Sequence, residues 1–166
     1  SLIDAARAVK KLIVADPKLA DLSAYRDVDV LTPNLHELAN AAGTSLTELD
    51  AIGATAARLA ETHNIGTIVT TLSARGILAS QGDGTQFHDP ARTRDVFDVS
   101  GAGDTVVAVI SAAIASGAQL ELAVALANHA AGVAVSKSGT ALVTAGELLA
   151  RMPRSKQAIE ASALAG

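Results

Sequence analysis

Apolar positions along the chain change their spacing several times, and each change predicts an element. Residues 1–9, SLIDAARAV, read as the end of a helix, after which LIVADP is almost continuously apolar and stops at Pro17, the pattern of a buried strand. A second short strand is expected over VDVLTPN (28–34). Pro33 stops it, and Asn34 stands ready to cap a helix, LHELANAA, that Gly43 ends. In TSLTELDAIGATAARLAETHN, Leu46, Leu49, Ile52, Ala56 and Leu59 recur at helical spacing, so an amphipathic helix is expected from the Ser/Thr cluster to Asn64. TIVTTL (67–72) reads as a buried strand and GILASQ as the next, while GDGT (82–85) predicts a hairpin turn into QFHDP. Helices are expected over 103–116 and 120–137, parted at Gly117, and TAGELLARM supplies one more from a threonine cap.

Strands alternating with helices in this order predict an α/β fold of three layers, with a mainly parallel sheet and an antiparallel tail. Residues 1–152 form one domain in this reading, and 153–166 a weakly helical or disordered tail. Composition narrows the picture. Apolar residues reach 49% while aromatics are only 2%, so the core must be aliphatic. The net charge of −4 comes without a basic block, which argues against a nucleic-acid or anionic-membrane surface and for a small-molecule partner. No cysteine is present, which excludes disulfides and thiolate metal sites. The first residues lack the layout of a signal peptide, and the apolar runs are too interrupted to span a bilayer, so a cytoplasmic protein is expected.

Candidate chemistry concentrates in DVFDVSGAGDTVV. The strand-like RDVFDV passes into a helix at GAGD, so the N–H groups of Gly101, Ala102, Gly103 and Asp104 are candidate donors to an anion. A carboxylate beside an anion pocket repels the anion, and it needs a role that outweighs the repulsion. Taking a proton from an attacking hydroxyl is such a role. The plain alternative is a tight helix start with Asp104 favoured by the macrodipole. Neither G-x-G-x-x-G nor a G-x-x-x-x-G-K-[ST] loop is present, so the common nucleotide fingerprints do not apply. In VLTPNLHEL, Asn34 and Glu37 offer oxygen ligands suited to a hydrated Mg2+, or form an ordinary capping pair. Thr71, Ser73 and Arg75 follow a strand at the edge where open α/β sheets bind ligands, although simple turn residues and a solvated charge fit them as well. Asn128 lies on a helix that leads to a glycine-containing loop, 138–140; it and His129 equally suit partly exposed helix surface, and Lys137 and His88 solvated positions.

DVSGAGDT resembles the C-terminal signature of the PfkB/ribokinase family of carbohydrate kinases, and TPNLHE its N-x-x-E motif. Together with DPK, VTTLSARG and ANHAAGVAVSKSGTALVT, in that order, they make residues 11–150 most similar to the kinase domain of bifunctional heptose enzymes. Ser73 supports that subgroup, since many other members carry glycine there. The resemblance implies a ribokinase-like three-layer α/β/α fold and phosphoryl transfer from ATP to a sugar hydroxyl, with heptose 7-phosphate as the expected acceptor. Asp104 would be the base, and the amides of Gly101 to Gly103 would stabilise the transferring group. Asn34 and Glu37 would organise Mg2+; Thr71, Ser73 and Arg75 would lie by the phosphates and Asn128 beside the adenosine. Asp98, with the carbonyls of Ser100, Val135 and Ser138, would match the family's monovalent-cation (K+) site. The resemblance also makes the chain the C-terminal part of such a kinase, without the N-terminal strands, the sugar-binding Gly-Gly motif and the β lid, so that inactivity of the fragment alone is an expectation, with the missing N-terminal half or a second copy in a homodimer as candidate partners. The rival reading from another class is a non-catalytic nucleotide-binding or assembly module. A dinucleotide-binding oxidoreductase is disfavoured, because no G-x-G-x-x-G follows an early strand.

Overall fold

The computed structural model describes residues 1–91, 101–137 and 142–151. Helix α1 (Leu2–Ala8) leads into strand β1 (Val14–Ala15), and a 3-10 turn, Leu22–Tyr25, precedes β2 (Val30–Leu31). Helices α2 (Leu35–Ala42) and α3 (Leu49–His63) follow, then β3 (Thr67–Thr71), β4 (Ile77–Gln81) and β5 (Gln86–Asp89). Three helices complete the described chain: α4 (Ala102–Ala115), α5 (Leu120–Val135) and α6 (Ala145–Arg151).

The strands lie side by side in chain order, β1-β2-β3-β4-β5. β1, β2 and β3 run parallel, whereas β3–β4 and β4–β5 are antiparallel. The described sheet is therefore a parallel set of three strands extended by the expected antiparallel tail, β4 and β5. The reason is local: between β3 and β4 the chain reverses within a few residues, with Leu72 N–H bonded to the Gly76 carbonyl, and no crossover helix can fit. RDVFDV, expected to extend toward the GAGD helix, lies outside the described residues, as does the expected tail.

Strand pleating divides the apolar residues between two cores. Leu31, Ile68 and Leu78 face Leu38, Ile52, Ala56 and Leu59 from α2 and α3. Their chain neighbours Val30, Val69, Ile77 and Ala79 face Val106, Ile110, Val124 and Ala127 from α4 and α5. Helices on both faces of one sheet give the three layers, and the aliphatic composition fits this division, since small branched side chains pack closely between flat layers.

The punctuation works largely as the residue types dictate. Gly43 (φ +65°) and Asn64 (φ +51°) end α2 and α3 in the left-handed conformation. Helix α3 begins later than the Ser/Thr cluster suggests, at Leu49, and its N-cap Glu48 makes no side-chain cap. Buried Pro17 and Pro33 follow β1 and β2 at the same distance. Among the described residues no helix is long and apolar enough to cross a membrane.

Candidate functional site

The C-terminal ends of β1, β2 and β3 point the same way, and the first turn of α4 stands against them. Two adjoining cavities lie there. The larger, about 470 Å3, is walled by Thr71, Leu72 and Ser73 after β3, by Gly103 and Val106 of α4, and by Asn128 and Val135 of α5. The smaller, about 140 Å3, is polar: Asp16, Lys18, Thr32 and Glu37 line it together with Gly101 and Asp104. Asn34, Thr71 and Gly103 belong to both.

Helix α4 begins as its sequence requires. Gly101 takes φ +77°, a conformation that would strain any residue with a Cβ, and among the described residues no side chain caps the helix. The Thr105 N–H and Oγ1 both donate to the Gly101 carbonyl, at 3.0 and 2.9 Å. Among the described residues, the N–H groups of Ala102, Gly103 and Asp104 thus open the helix without a side-chain acceptor, next to the polar cavity. Gly103 has no close neighbour where a Cβ would stand. An anion can reach this turn directly. Asp104 is exposed and borders the same cavity.

Asn34 and Glu37 form a reciprocal capping box: Glu37 N–H donates to Asn34 Oδ1 at 2.9 Å, and Asn34 N–H donates to Glu37 Oε2 at 2.8 Å. The plain capping alternative is therefore real, and it also aims the pair. Held by the box and by a parallel bridge from Asn34 to Thr71, both residues line the polar cavity. Among the described residues no three His, Cys, Asp or Glu side chains gather closely enough to hold a metal by themselves. A carboxylate and a carboxamide oxygen suit Mg2+, which keeps most of its waters and takes its remaining ligands from phosphate.

The other expected residues separate. Thr71 and Ser73 line the larger cavity, and Ser73 sits at φ +53°, where glycine is favoured. Arg75 points elsewhere: its Nη1 donates to the Thr47 carbonyl, and it lines neither cavity. A turn reversing within a few residues sends consecutive side chains in different directions, and spacing alone does not reveal which. Asn128 and His129 are buried rather than partly exposed. Asn128 Nδ2 donates to Asp89 Oδ2 at 2.6 Å and to the Asp89 and Pro90 carbonyls, which ties α5 to the end of β5. His129 Nδ1 lies 2.8 Å from the Ala125 carbonyl. Neither Lys137 nor His88 is a free solvated group, since Lys137 pairs with Glu147 and His88 Nε2 lies 2.8 Å from the Arg75 carbonyl. Of the expected K+ site, Val135 borders the larger cavity, while Asp98, Ser100 and Ser138 lie outside the described residues.

Asp16 and Lys18 enter the sequence reading only as the DPK segment of the resemblance, with no role of their own, yet both line the polar cavity. Their signal was present as a repeated pattern, ADPK after β1 and LTPN after β2, in which Lys18 occupies the place of Asn34.

Comparison with known proteins agrees with this arrangement. Residues 1–145 match the family model of the pfkB family carbohydrate kinases. The chain is 44% identical over 148 residues to the bifunctional protein HldE of Azotobacter vinelandii, covering 89% of this chain and 31% of that protein. It is 40% identical over its whole length to HldE of Rhodospirillum rubrum, 34% of which is covered. The chain thus spans about a third of these curated relatives. Phosphofructokinase-2 from Escherichia coli in complex with potassium shares the fold with a TM-score of 0.79 at 22% identity, over 89% of this chain and 48% of that one. Ribokinase from Thermotoga maritima gives 0.75 at 22%, over 90% and 51%. The ribokinase-like three-layer fold, the GAGD helix start and the family match agree, and the chain belongs to the pfkB family of carbohydrate kinases.

Proposed function

We propose that this chain is the nucleotide-binding, base-bearing part of an ATP-dependent sugar kinase whose acceptor is a heptose 7-phosphate or a similar sugar phosphate. The observation that carries the reading is the pair of adjoining cavities at the strand ends, one mostly apolar and sized for a nucleoside, the other polar and bordered by both the uncapped α4 turn and Asp104. The heptose acceptor is supported by the identity to HldE proteins over nearly the whole chain.

In this reading the larger cavity takes the adenosine, with Asn128 and Val135 on its wall. The amides that open α4 hold the phosphate chain, and their dipoles stabilise charge as the phosphoryl group moves. Asp104 accepts the proton of the acceptor hydroxyl as its oxygen attacks phosphorus in line and the bond from phosphorus to the ADP oxygen breaks. Asn34 and Glu37, fixed by their capping box, would hold Mg2+ through its waters; the ion when bound neutralises phosphate charge. Thr71 lies where the nucleoside and phosphate spaces meet, and Ser73 lines the nucleoside space beside it. Val135 is the described member of a K+ site that Asp98, Ser100 and Ser138 would complete.

The test is made in the full source protein, with MgATP binding by calorimetry and ADP release against a panel of sugar phosphates. Asp104→Asn is expected to lower kcat by about 10²–10⁴-fold while MgATP affinity is kept. Undiminished turnover overturns the base assignment. Absence of MgATP binding to the wild-type protein overturns the reading as a whole, and MgATP binding without turnover on any acceptor assigns a binding module instead.

A further inference from the structure

The polar cavity has an unfavourable charge balance for a phosphate. Asp16, Glu37 and Asp104 supply three carboxylates, and Lys18 is the sole Lys or Arg on the described lining of either cavity. A transferring phosphoryl group brings further negative charge into this space. Amides at a helix start contribute only partial charges.

Lys18 is presented by a built support rather than a loose loop. Pro17 before it is fully buried, which fixes the chain where it leaves β1. The backbone N–H groups of Lys18 and Leu19 both donate to the hydroxyl oxygen of Tyr25, at 2.7 and 3.2 Å. Tyr25, the only tyrosine in the chain, is half-buried with its ring packed on the core beneath α2 and α3. The backbone of the loop is thus anchored on both sides, while the Lys18 side chain stays 73% exposed. At rest its ammonium pairs with Asp16, and the hydrogen bond and charge of Asp16, followed by the charges of Glu37 and Asp104, raise its pKa. An exposed ion pair of this kind is weak, so a phosphate oxygen can displace Asp16 at small cost.

We propose that Lys18 is a catalytic residue of this site: its ammonium binds the terminal phosphoryl oxygens of ATP beside Asp104, and Tyr25 is the positioning residue that presents it. The proposal rests on the kinase reading above and adds to it the cation that the lining otherwise lacks. Asp16 then serves as the resting partner of Lys18, holding the ammonium at the cavity until the phosphate arrives.

Calorimetry with MgATP, MgADP and adenosine as separate probes tests this on the wild-type chain and on Lys18→Met, Lys18→Arg and Tyr25→Phe. Lys18→Met is expected to weaken MgATP about tenfold, the size of one charge-assisted hydrogen bond, and to leave MgADP and adenosine unchanged. Lys18→Arg should retain most of the MgATP affinity. Tyr25→Phe keeps the packed ring, removes the oxygen that both N–H groups use, and should show the same selective loss in smaller measure. Unchanged MgATP affinity in Lys18→Met, or equal weakening of all three probes, overturns the role of Lys18 while leaving the kinase reading intact. A wild-type chain that binds none of the probes overturns both.

Discussion

Gly103 lies in the first turn of α4, and a Cβ built on it would project into open space. Because nothing in the fold resists that Cβ, Gly103→Ala should fold normally and gain about 0.5–1 kcal/mol from helix propensity. The same methyl would stand where a phosphate oxygen must approach the amides, so MgATP binding should fall while thermal stability rises. A melting curve and a calorimetric titration on one sample read both outcomes, and a variant that keeps full MgATP affinity denies this turn its anion. Thr70 and Ser80 are opposite cases: both are fully buried, and their hydroxyls have no hydrogen-bond partner among the described residues. Thr70→Val replaces the hydroxyl with a methyl of nearly the same shape and should stabilise the protein by about 1 kcal/mol in chemical denaturation. How far single residues were legible depends on how local their partners are. The capping pair Asn34 and Glu37 could be read from spacing, because the bonds that define it run within one helical turn. Arg75 could not be assigned, since its partner carbonyl at Thr47 is distant in sequence.

Helix α6 shows how an element can be held without a core of its own. None of its residues is buried, and polar bonds tie it to α5 and the residues just after it: Arg151 donates to the Gly132 carbonyl and to Ser136 Oγ, and Glu147 meets Lys137 at 2.7 Å. Glu147 also caps the helix start, accepting from the Thr144 N–H and hydroxyl. The Lys137 hydrogen bond first, and then the Thr144 donors, hold its carboxyl at about 2, below the ordinary 4.5. Since the folded value is depressed, the contribution is complete above pH 4.5 and is lost as the pH falls toward 2. Carboxyl NMR should therefore find Glu147 titrating near the bottom of that window, and Lys137→Met should move its midpoint up toward 4.5. A midpoint near 4.5 in the wild-type protein would mean that the clip does not form in solution. Elements of this kind are easy to read as helices and hard to dock, because caps are local whereas clips join separate segments. β1 and β2 are legible for a related reason, since a continuous apolar run stopped by proline needs no knowledge of the neighbour. Strand direction is legible where the connection is short: the GDGT hairpin and the few residues after β3 leave no room for a crossover, so β4 and β5 read as an antiparallel tail.

At the scale of the whole molecule, the three layers followed from alternation, but the site followed from register. Pairing Ala15 with Leu31 brings the segments after β1 and β2 to one end of the sheet, and β3 adds Thr71 to the same end. The GAGD motif marked one side of that end from the start. The opposing ADPK segment carried its charge unrecognised, because a lysine after a proline has no distinctive chemistry until the sheet sets it across from an aspartate. Asn34, Thr71 and Gly103, the residues common to both cavities, have a thermodynamic consequence. Where an occupant of one compartment shifts this shared wall, it changes the space offered to the other, and the coupling free energy so produced is equal in both directions.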